Sequence, residues 1–490
     1  MKDSVHLPGE APVRAWRDGD LSVDILPSCD LGNSSFIVAD RGRHAALIID
    51  PTRDVARYLE ALRRSALSLH WVLDTHLHAD FVSGGKELAD LEGARFGLSE
   101  QARATFPHDA LGEASLLELG SAGVRVIRTP GHTPEHLSFL LHDARGRPRV
   151  LFSGGSLMAG TAARPDLLGP RYTNELVREE FRTLRDRYRG LAGSVSVLPT
   201  HAGGSFCGVG ARASPTTSLG VERRTNPLIR SPNLAAFFTA YLSDQPFPTY
   251  YTRSREINLT GGRPVGAVIP NLPGLEPPEL ERLRTEEGVT ILDIRDSQQF
   301  ERAHIPGSIS VPAEGPLSAW VGWLRPESEP FILVDDDPGA RRATQIGLLR
   351  IGYDGLRGFL KGGLPAYISA GFPAASTSRM SMATVRSTME RGTAFTLLDV
   401  RNSDEAAASH VPGAVNIPLP RLERDADGAL PHDLPVFVHC QSGYRAGIAA
   451  SLLERMGFAD VRHVTEGPEH WKPSASRPAH RQRRPSARQH

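Results

Sequence analysis

Val438-His439-Cys440-Gln441-Ser442-Gly443-Tyr444-Arg445 places one cysteine directly after an apolar, strand-like run and inside a short turn closed by arginine. A turn that curls round a side chain aims successive backbone N–H groups at it. Arg445 and the head of the apolar helix predicted from Ala446 to Met456 add positive potential. These surroundings favour thiolate over thiol, so Cys440 is expected to be a nucleophile or sulfur carrier, with Arg445 as its electrostatic partner. Gln441, Ser442, Gly443 and Tyr444 form the turn and are expected to meet the substrate. A free cysteine is more often simply buried in a core, and the flanking sequence decides between the two readings.

Upstream lie Leu397-Leu398-Asp399-Val400-Arg401 and His410-Val411-Pro412-Gly413-Ala414. With the cysteine turn they resemble a rhodanese domain over roughly residues 380 to 472, the family that moves sulfane sulfur as a cysteine persulfide. Ile291-Leu292-Asp293-Ile294-Arg295 and His304-Ile305-Pro306-Gly307-Ser308 repeat the pattern 106 positions earlier. In that copy Phe331-Ile332-Leu333-Val334-Asp335 falls against Val436 to Cys440, so Asp335 stands where the cysteine belongs. A carboxylate cannot carry sulfane sulfur, and the first copy is expected to be non-catalytic.

The chain of 490 residues has a formal net charge of zero, 40% apolar and 23% charged residues. That suits a soluble protein of about three cores and supplies no global field for nucleic acid or membrane. No apolar run reaches the length of a membrane span, the first residues lack a secretory apolar stretch, and Cys29, Cys207 and Cys440 are too few and too scattered for a disulfide framework. A cytoplasmic location is expected. Composition shifts divide the chain into 1–250, an α/β domain; 251–278, a linker within the Pro-, Gly- and Thr-rich stretch Pro246 to Pro278; 279–374, the copy without cysteine; 378–472, the copy with Cys440; and 473–490, a disordered tail.

The first domain carries a second signature. Trp71-Val72-Leu73 leads into Asp74-Thr75-His76-Leu77-His78-Ala79-Asp80-Phe81, and later come Thr129-Pro130-Gly131-His132-Thr133-Pro134-Glu135-His136, Phe152-Ser153-Gly154-Gly155-Ser156-Leu157 and Leu198-Pro199-Thr200-His201. Each sets polar residues just after a strand-like run, which is how loops at one sheet edge converge on a metal. This order resembles the metallo-β-lactamase fold, an αββα sandwich, over roughly residues 20 to 210, in the branch holding persulfide dioxygenases and hydroxyacylglutathione hydrolases. The whole chain resembles the multidomain persulfide dioxygenase and sulfurtransferase proteins of bacterial sulfide detoxification. Relatives of that kind also have a cysteine at the position of Cys207.

The resemblance implies iron held by His76, His132 and an aspartate, but that third position is Gly155. Losing the carboxylate should weaken Fe(II) binding, and restoring it as Gly155→Asp should strengthen it. The hydrolase arrangement would draw on His76, His78, Asp80, His132 and His201, yet Phe81 and Gly155 replace two of its ligands. A single zinc on His76, His78 and His132 is the alternative, and a site without metal is the other. Arg164 is a candidate to hold a glutathione-like substrate and Cys207 to hold sulfane sulfur, whereas Asp50 and His136 read as supports for their loops. The expected activity is sulfur transfer through Cys440, coupled by resemblance to oxidation of glutathione-like persulfides. A thioester hydrolase and a non-catalytic sulfur carrier remain as alternatives. Expected partners are small-molecule persulfides, thiosulfate and thiols, with self-association into a homo-oligomer allowed.

Overall fold

Strand β4 (Ala45–Ile49) is buried along its whole length because it runs between two cores. Leu47 and Ile49 point into one hydrophobic cluster, Ala46 and Ile48 into another, as the two-residue period of a strand requires. In the computed structural model, which describes residues 7, 9–208, 210–212, 214–242 and 246–471, this strand lies within a seven-stranded sheet in chain order. Its strands are Val13–Asp18, Leu21–Ser28, Asn33–Asp40, Ala45–Ile49, Ser68–Leu73, Arg95–Ser99 and Asp109–Leu111. The first four pair antiparallel and the rest parallel.

A second, six-stranded sheet runs from Thr217–Ser218 through Ser196–Pro199, Pro148–Gly154, Leu137–His142 and Ala122–Arg128 to Leu116–Leu119. Phe36, Val38 and Leu47 of the first sheet pack on Val124, Phe139 and Phe152 of the second. Helices Ala56–Arg64 and Gly85–Glu92 cover the outside of the first sheet through Tyr58, Leu62 and Leu88. Helices Pro170–Arg182 and Leu234–Tyr241 cover the second through Val177, Phe237 and Tyr241. The layers are therefore αββα, as expected.

The two repeats share one topology. Gly274–Leu275, Leu356–Leu360, Phe331–Val334 and Thr290–Asp293 form parallel neighbours in that order. The second copy repeats the order with Ser378–Met380, Val461–Val464, Val436–His439 and Thr396–Asp399, followed by Val415–Asn416. In each copy an aspartate closes a strand and holds the arginine two residues on by a bidentate pair, Asp293 with Arg295 and Asp399 with Arg401.

The described residues form two compact units, one reaching to Asp296 and including Val311–Phe372, the other made of Ser297–Ser310 and the residues from Pro373 onward. Residues 297–310 belong by repeat to the first copy but pack with the second. There the Ser310 N–H donates to Ser451 Oγ at 3.0 Å, His304 pairs with Glu454 at 3.2 Å, and His463 bonds Glu301.

The linker reading of 251–278 is corrected at its start, where Tyr250–Thr260 is a helix ended by Gly261 in the left-handed region (φ 87°). Its buried face makes it part of the first domain: Asn258 Nδ2 donates to the His78 and Phe81 carbonyls, both at 2.8 Å, and the Tyr250 hydroxyl to that of Asp80 at 3.2 Å. Residues 473–490, read as a tail, lie outside the described residues. Among the described residues no helix is long and apolar enough to cross a membrane.

Within the first unit, helix Pro338–Arg350 ends on a fully buried arginine. Arg350 bonds Glu10 (2.6 and 2.8 Å), Asp54 (2.7 and 3.0 Å) and Asp30 (3.0 Å), while Arg57 adds a second cation beside Glu10 and Asp54. Burial works against Asp54 ionising, but the two guanidinium groups hold its carboxyl well below the usual range. Removing one member of a buried charge network strands the others. Arg350→Ala should therefore cost about 3–5 kcal/mol, and a clearly lower urea midpoint for the first unit is the expected reading. A midpoint equal to the parent's would show that the network contributes little.

Candidate metal centre and sulfur-transfer loop

The ends of strands Ala45–Ile49, Ser68–Leu73, Ala122–Arg128, Pro148–Gly154 and Ser196–Pro199 deliver Asp50, the His76 loop, the His132 loop, Gly155 and His201 to one edge of the sandwich. Hydrogen bonds then select which ring nitrogen each imidazole presents. The Nδ1–H of His76 donates to Thr75 Oγ1 (2.9 Å), that of His132 to the Arg164 carbonyl (2.7 Å), and that of His201 to Asn33 Oδ1 (3.0 Å). All three therefore keep an unprotonated Nε2 for the site, and His76 Nε2 lies 3.4 Å from His201 Nε2. His78 is the reverse: its Nε2–H donates to Asp50 (3.1 Å), and its buried Nδ1 has no partner.

Burial and the neighbouring imidazoles push His76 well below its ordinary range, and His132 down to about 3. Oriented imidazoles, with the orphaned Nδ1 of His78 among them, fit a metal ion. The donor atoms of His76, His78 and His201 lie within 4.8 Å of one another, as do those of His132, His201 and Cys207. His136 spends both nitrogens, accepting from the Gly155 N–H (3.0 Å) and donating to Thr129 Oγ1 (2.9 Å), so it orients its loop.

The arrangement does not fit two imidazoles and a carboxylate. Asp80 Oδ2 is occupied by Asn33 Nδ2 (2.8 Å) and His201 Nδ1 (3.1 Å), although its Oδ1 has no partner. At Gly155 a Cβ would lie 2.6 Å from His132 Cδ2 and 2.9 Å from the Ala163 methyl. His132 and Ala163 fill the space that an aspartate would need. The expectation that Gly155→Asp strengthens metal binding is therefore corrected.

A cavity of about 310 Å³ opens beside His132, walled by Leu77, Thr133, Phe247, Tyr251 and Arg255 among others. Arg164, expected at the substrate, is not on its wall; it forms a bidentate pair with Asp166 (2.6 and 2.7 Å). Arg255 is the guanidinium there, braced by Glu135 at 2.8 Å. Sequence reading passed over Tyr251, Arg255 and Asn258 because their helix sits in a Pro- and Gly-rich stretch.

In the second unit Cys440 follows strand Val436–His439, buried to 1% exposure. The Gly443 N–H donates to its sulfur at 3.1 Å, and helix Tyr444–Arg455 begins immediately after. Gly443 is left-handed (φ 88°), and the His463 Nε2–H donates to its carbonyl at 2.9 Å. Arg445 gives both terminal nitrogens to Glu405 at 2.7 Å, so its charge reaches the sulfur already partnered. Gln441 bonds Glu469, Ser442 is exposed and Tyr444 is half-buried. In the other copy Asp335 holds Arg341 through three contacts of 3.0–3.1 Å.

Residues 28–201 match the family described as Metallo-beta-lactamase superfamily, and residues 276–370 and 381–474 each match Rhodanese-like domain. The Hydroxyacylglutathione hydrolase of Acidiphilium cryptum (strain JF-5) is 36% identical over 137 residues, covering 27% of this chain and 55% of its own length. The Persulfide dioxygenase ETHE1, mitochondrial, of Mus musculus is 24% identical over 169 residues, 34% of this chain and 63% of its own. The chain spans about half the length of the Acidiphilium cryptum hydrolase and of the Hydroxyacylglutathione hydrolase of Cereibacter sphaeroides (strain ATCC 17029 / ATH 2.4.9). The crystal structure of a metallo-beta-lactamase from Staphylococcus aureus subsp. aureus COL superposes with a TM-score of 0.63 at 27% identity, covering 70% of this chain and 99% of that one.

Because the Gly155 site is sterically full, Gly155→Asp should bind no more metal per chain than the parent and should melt at a lower temperature. Metal analysis of both proteins, loaded side by side, checks this; a gain in bound iron would show that His132 can yield.

Proposed function

We propose, for a chain that joins a metallo-beta-lactamase-superfamily domain to two rhodanese-like domains, that Cys440 carries sulfane sulfur between small molecules while the N-terminal site acts on a low-molecular-weight persulfide. The observation that carries this is the Cys440 sulfur, held by the Gly443 N–H at the head of helix Tyr444–Arg455 inside the second rhodanese match. Both the donor and the helix head stabilise negative charge on sulfur. The Cys440 thiolate attacks the outer sulfur of thiosulfate, its S–S bond breaks, and sulfite leaves with the electron pair. An acceptor thiolate then attacks the outer sulfur of the Cys440 persulfide, forming a new persulfide and returning the Cys440 thiolate. Arg445, anchored by Glu405, attracts the anionic donor.

In the N-terminal domain His76, His78, His132 and His201 are the residues that would hold an ion. Such an ion, when bound, supplies an open position for substrate sulfur and a Lewis acid. The chain's own contribution is a cavity beside His132 with a mostly apolar wall, with Arg255 placed to attract a carboxylate of a glutathione-like thiol. Likeness to a persulfide dioxygenase supports persulfide oxidation with iron; likeness to hydroxyacylglutathione hydrolases supports thioester hydrolysis with zinc as the second reading. Oxygen uptake with glutathione persulfide, against thioester cleavage, separates them. Three thiols with no disulfide suit a reducing cytoplasm.

Cys440→Ser should reduce thiosulfate-dependent sulfur transfer to the uncatalysed level with the fold intact, since a hydroxyl is too weakly acidic to replace the thiolate. Asp335→Cys should add no activity, because Asp336 and Asp337 surround that position with negative charge and Pro338 lacks an N–H. Sulfur transfer at the parent rate by Cys440→Ser, measured as sulfite release, would overturn the assignment.

A further inference from the structure

We propose that Cys207 is a metal ligand: its thiolate, with the imidazoles of His132 and His201, forms a mixed nitrogen and sulfur site that supplies the negative charge absent at Gly155. The inference rests on the reading that the N-terminal cluster holds a metal ion, and it names the donors and the kind of ion they select.

The three donor atoms lie within 4.8 Å of one another, and all three side chains are buried to 1% exposure or less. His132 and His201 have already given their Nδ1–H groups to the Arg164 carbonyl and Asn33, so each has an Nε2 lone pair left for an ion. The carboxylate that would have offset an ion's charge cannot come from position 155, where His132 occupies the room for a side chain. Asp80 is partly spent on Asn33 and on the outer nitrogen of His201. Asp50 and Asp74 cluster with His78, in a group that contains neither His132 nor Cys207.

Cys207 thus brings the anion to this side of the cluster, and Tyr251 hydrogen-bonds its sulfur from the neighbouring helix. Its burial suits a ligand, which needs no access to a second substrate. A thiolate with two imidazoles selects a borderline or soft ion such as Zn²⁺, Fe²⁺ or Co²⁺ over Mg²⁺ or Ca²⁺. Binding displaces the thiol proton to solvent.

The test is an anaerobic Co²⁺ titration of the metal-free full chain, followed by absorption and by bound cobalt. The expected result is an intense near-ultraviolet sulfur-to-cobalt charge-transfer band that saturates at one ion per chain. It should persist in Cys440→Ser, which assigns it to another thiol, and be lost in Cys207→Ser. Cys207→Asp guards against a folding defect: it should keep cobalt bound, with the visible bands of the ion and no charge-transfer band. If the parent binds cobalt without that band, or Cys207→Ser retains it, Cys207 is not a ligand and the all-imidazole site stands. If the parent binds no cobalt, the metal reading and this inference fall together.

Discussion

One carboxylate holds the N-terminal site in register. Asp50 ends strand Ala45–Ile49 in the left-handed region (φ 51°), which costs a non-glycine residue about 1–3 kcal/mol. From there it accepts the Thr75 N–H at 2.6 Å, the Thr75 hydroxyl at 2.9 Å, the Thr200 hydroxyl and the His78 Nε2–H at 3.1 Å. Burial disfavours its charge, yet His78, the Thr200 hydroxyl and the Thr75 N–H hold it below the usual carboxylate range. The same contact lifts His78 against the effect of burial. Thr75 in turn orients His76, and Thr200 precedes His201. A single ionised oxygen pair thus sets the separation of three loops and the tautomers of two imidazoles.

The first repeat has a carboxylate where the second has a cysteine. Where the second copy has a sulfur facing an N–H at the head of a helix, the first has Asp335 locked to Arg341, and the helix that follows ends on Arg350, whose guanidinium satisfies Glu10, Asp30 and Asp54. A buried arginine is kept only where several acceptors surround it. Glu10, Asp30 and Asp54 precede or flank the strands that lead to Asp50. The copy with Asp335 is therefore tied electrostatically to the scaffold of the imidazole cluster within one compact unit.

Helix Tyr250–Thr260 shows a second form of coupling. Asn258 fixes the carbonyls of His78 and Phe81, Arg255 fixes that of Leu77, and Tyr251 reaches the Cys207 sulfur. Backbone carbonyls buried in an irregular loop need donors from elsewhere. This helix supplies them, closing one wall of the cavity while it does so.

The cysteine turn, the repeat with Asp335 in the cysteine's place and four of the imidazoles were legible because each is local: a strand period, a glycine, a donor residue at a strand's end; the αββα sandwich was legible only through the family resemblance those segments carry. Tertiary structure alone decided which charges pair. Glu405 captures Arg445 from 40 residues away, His132 fills the space beside Gly155, and Cys207 turns toward His132 rather than toward solvent. The physical reason is that backbone conformation follows from near neighbours in the chain, whereas the partner of a buried charge or lone pair is whichever group packing brings within about 3 Å, and no residue spacing records that distance.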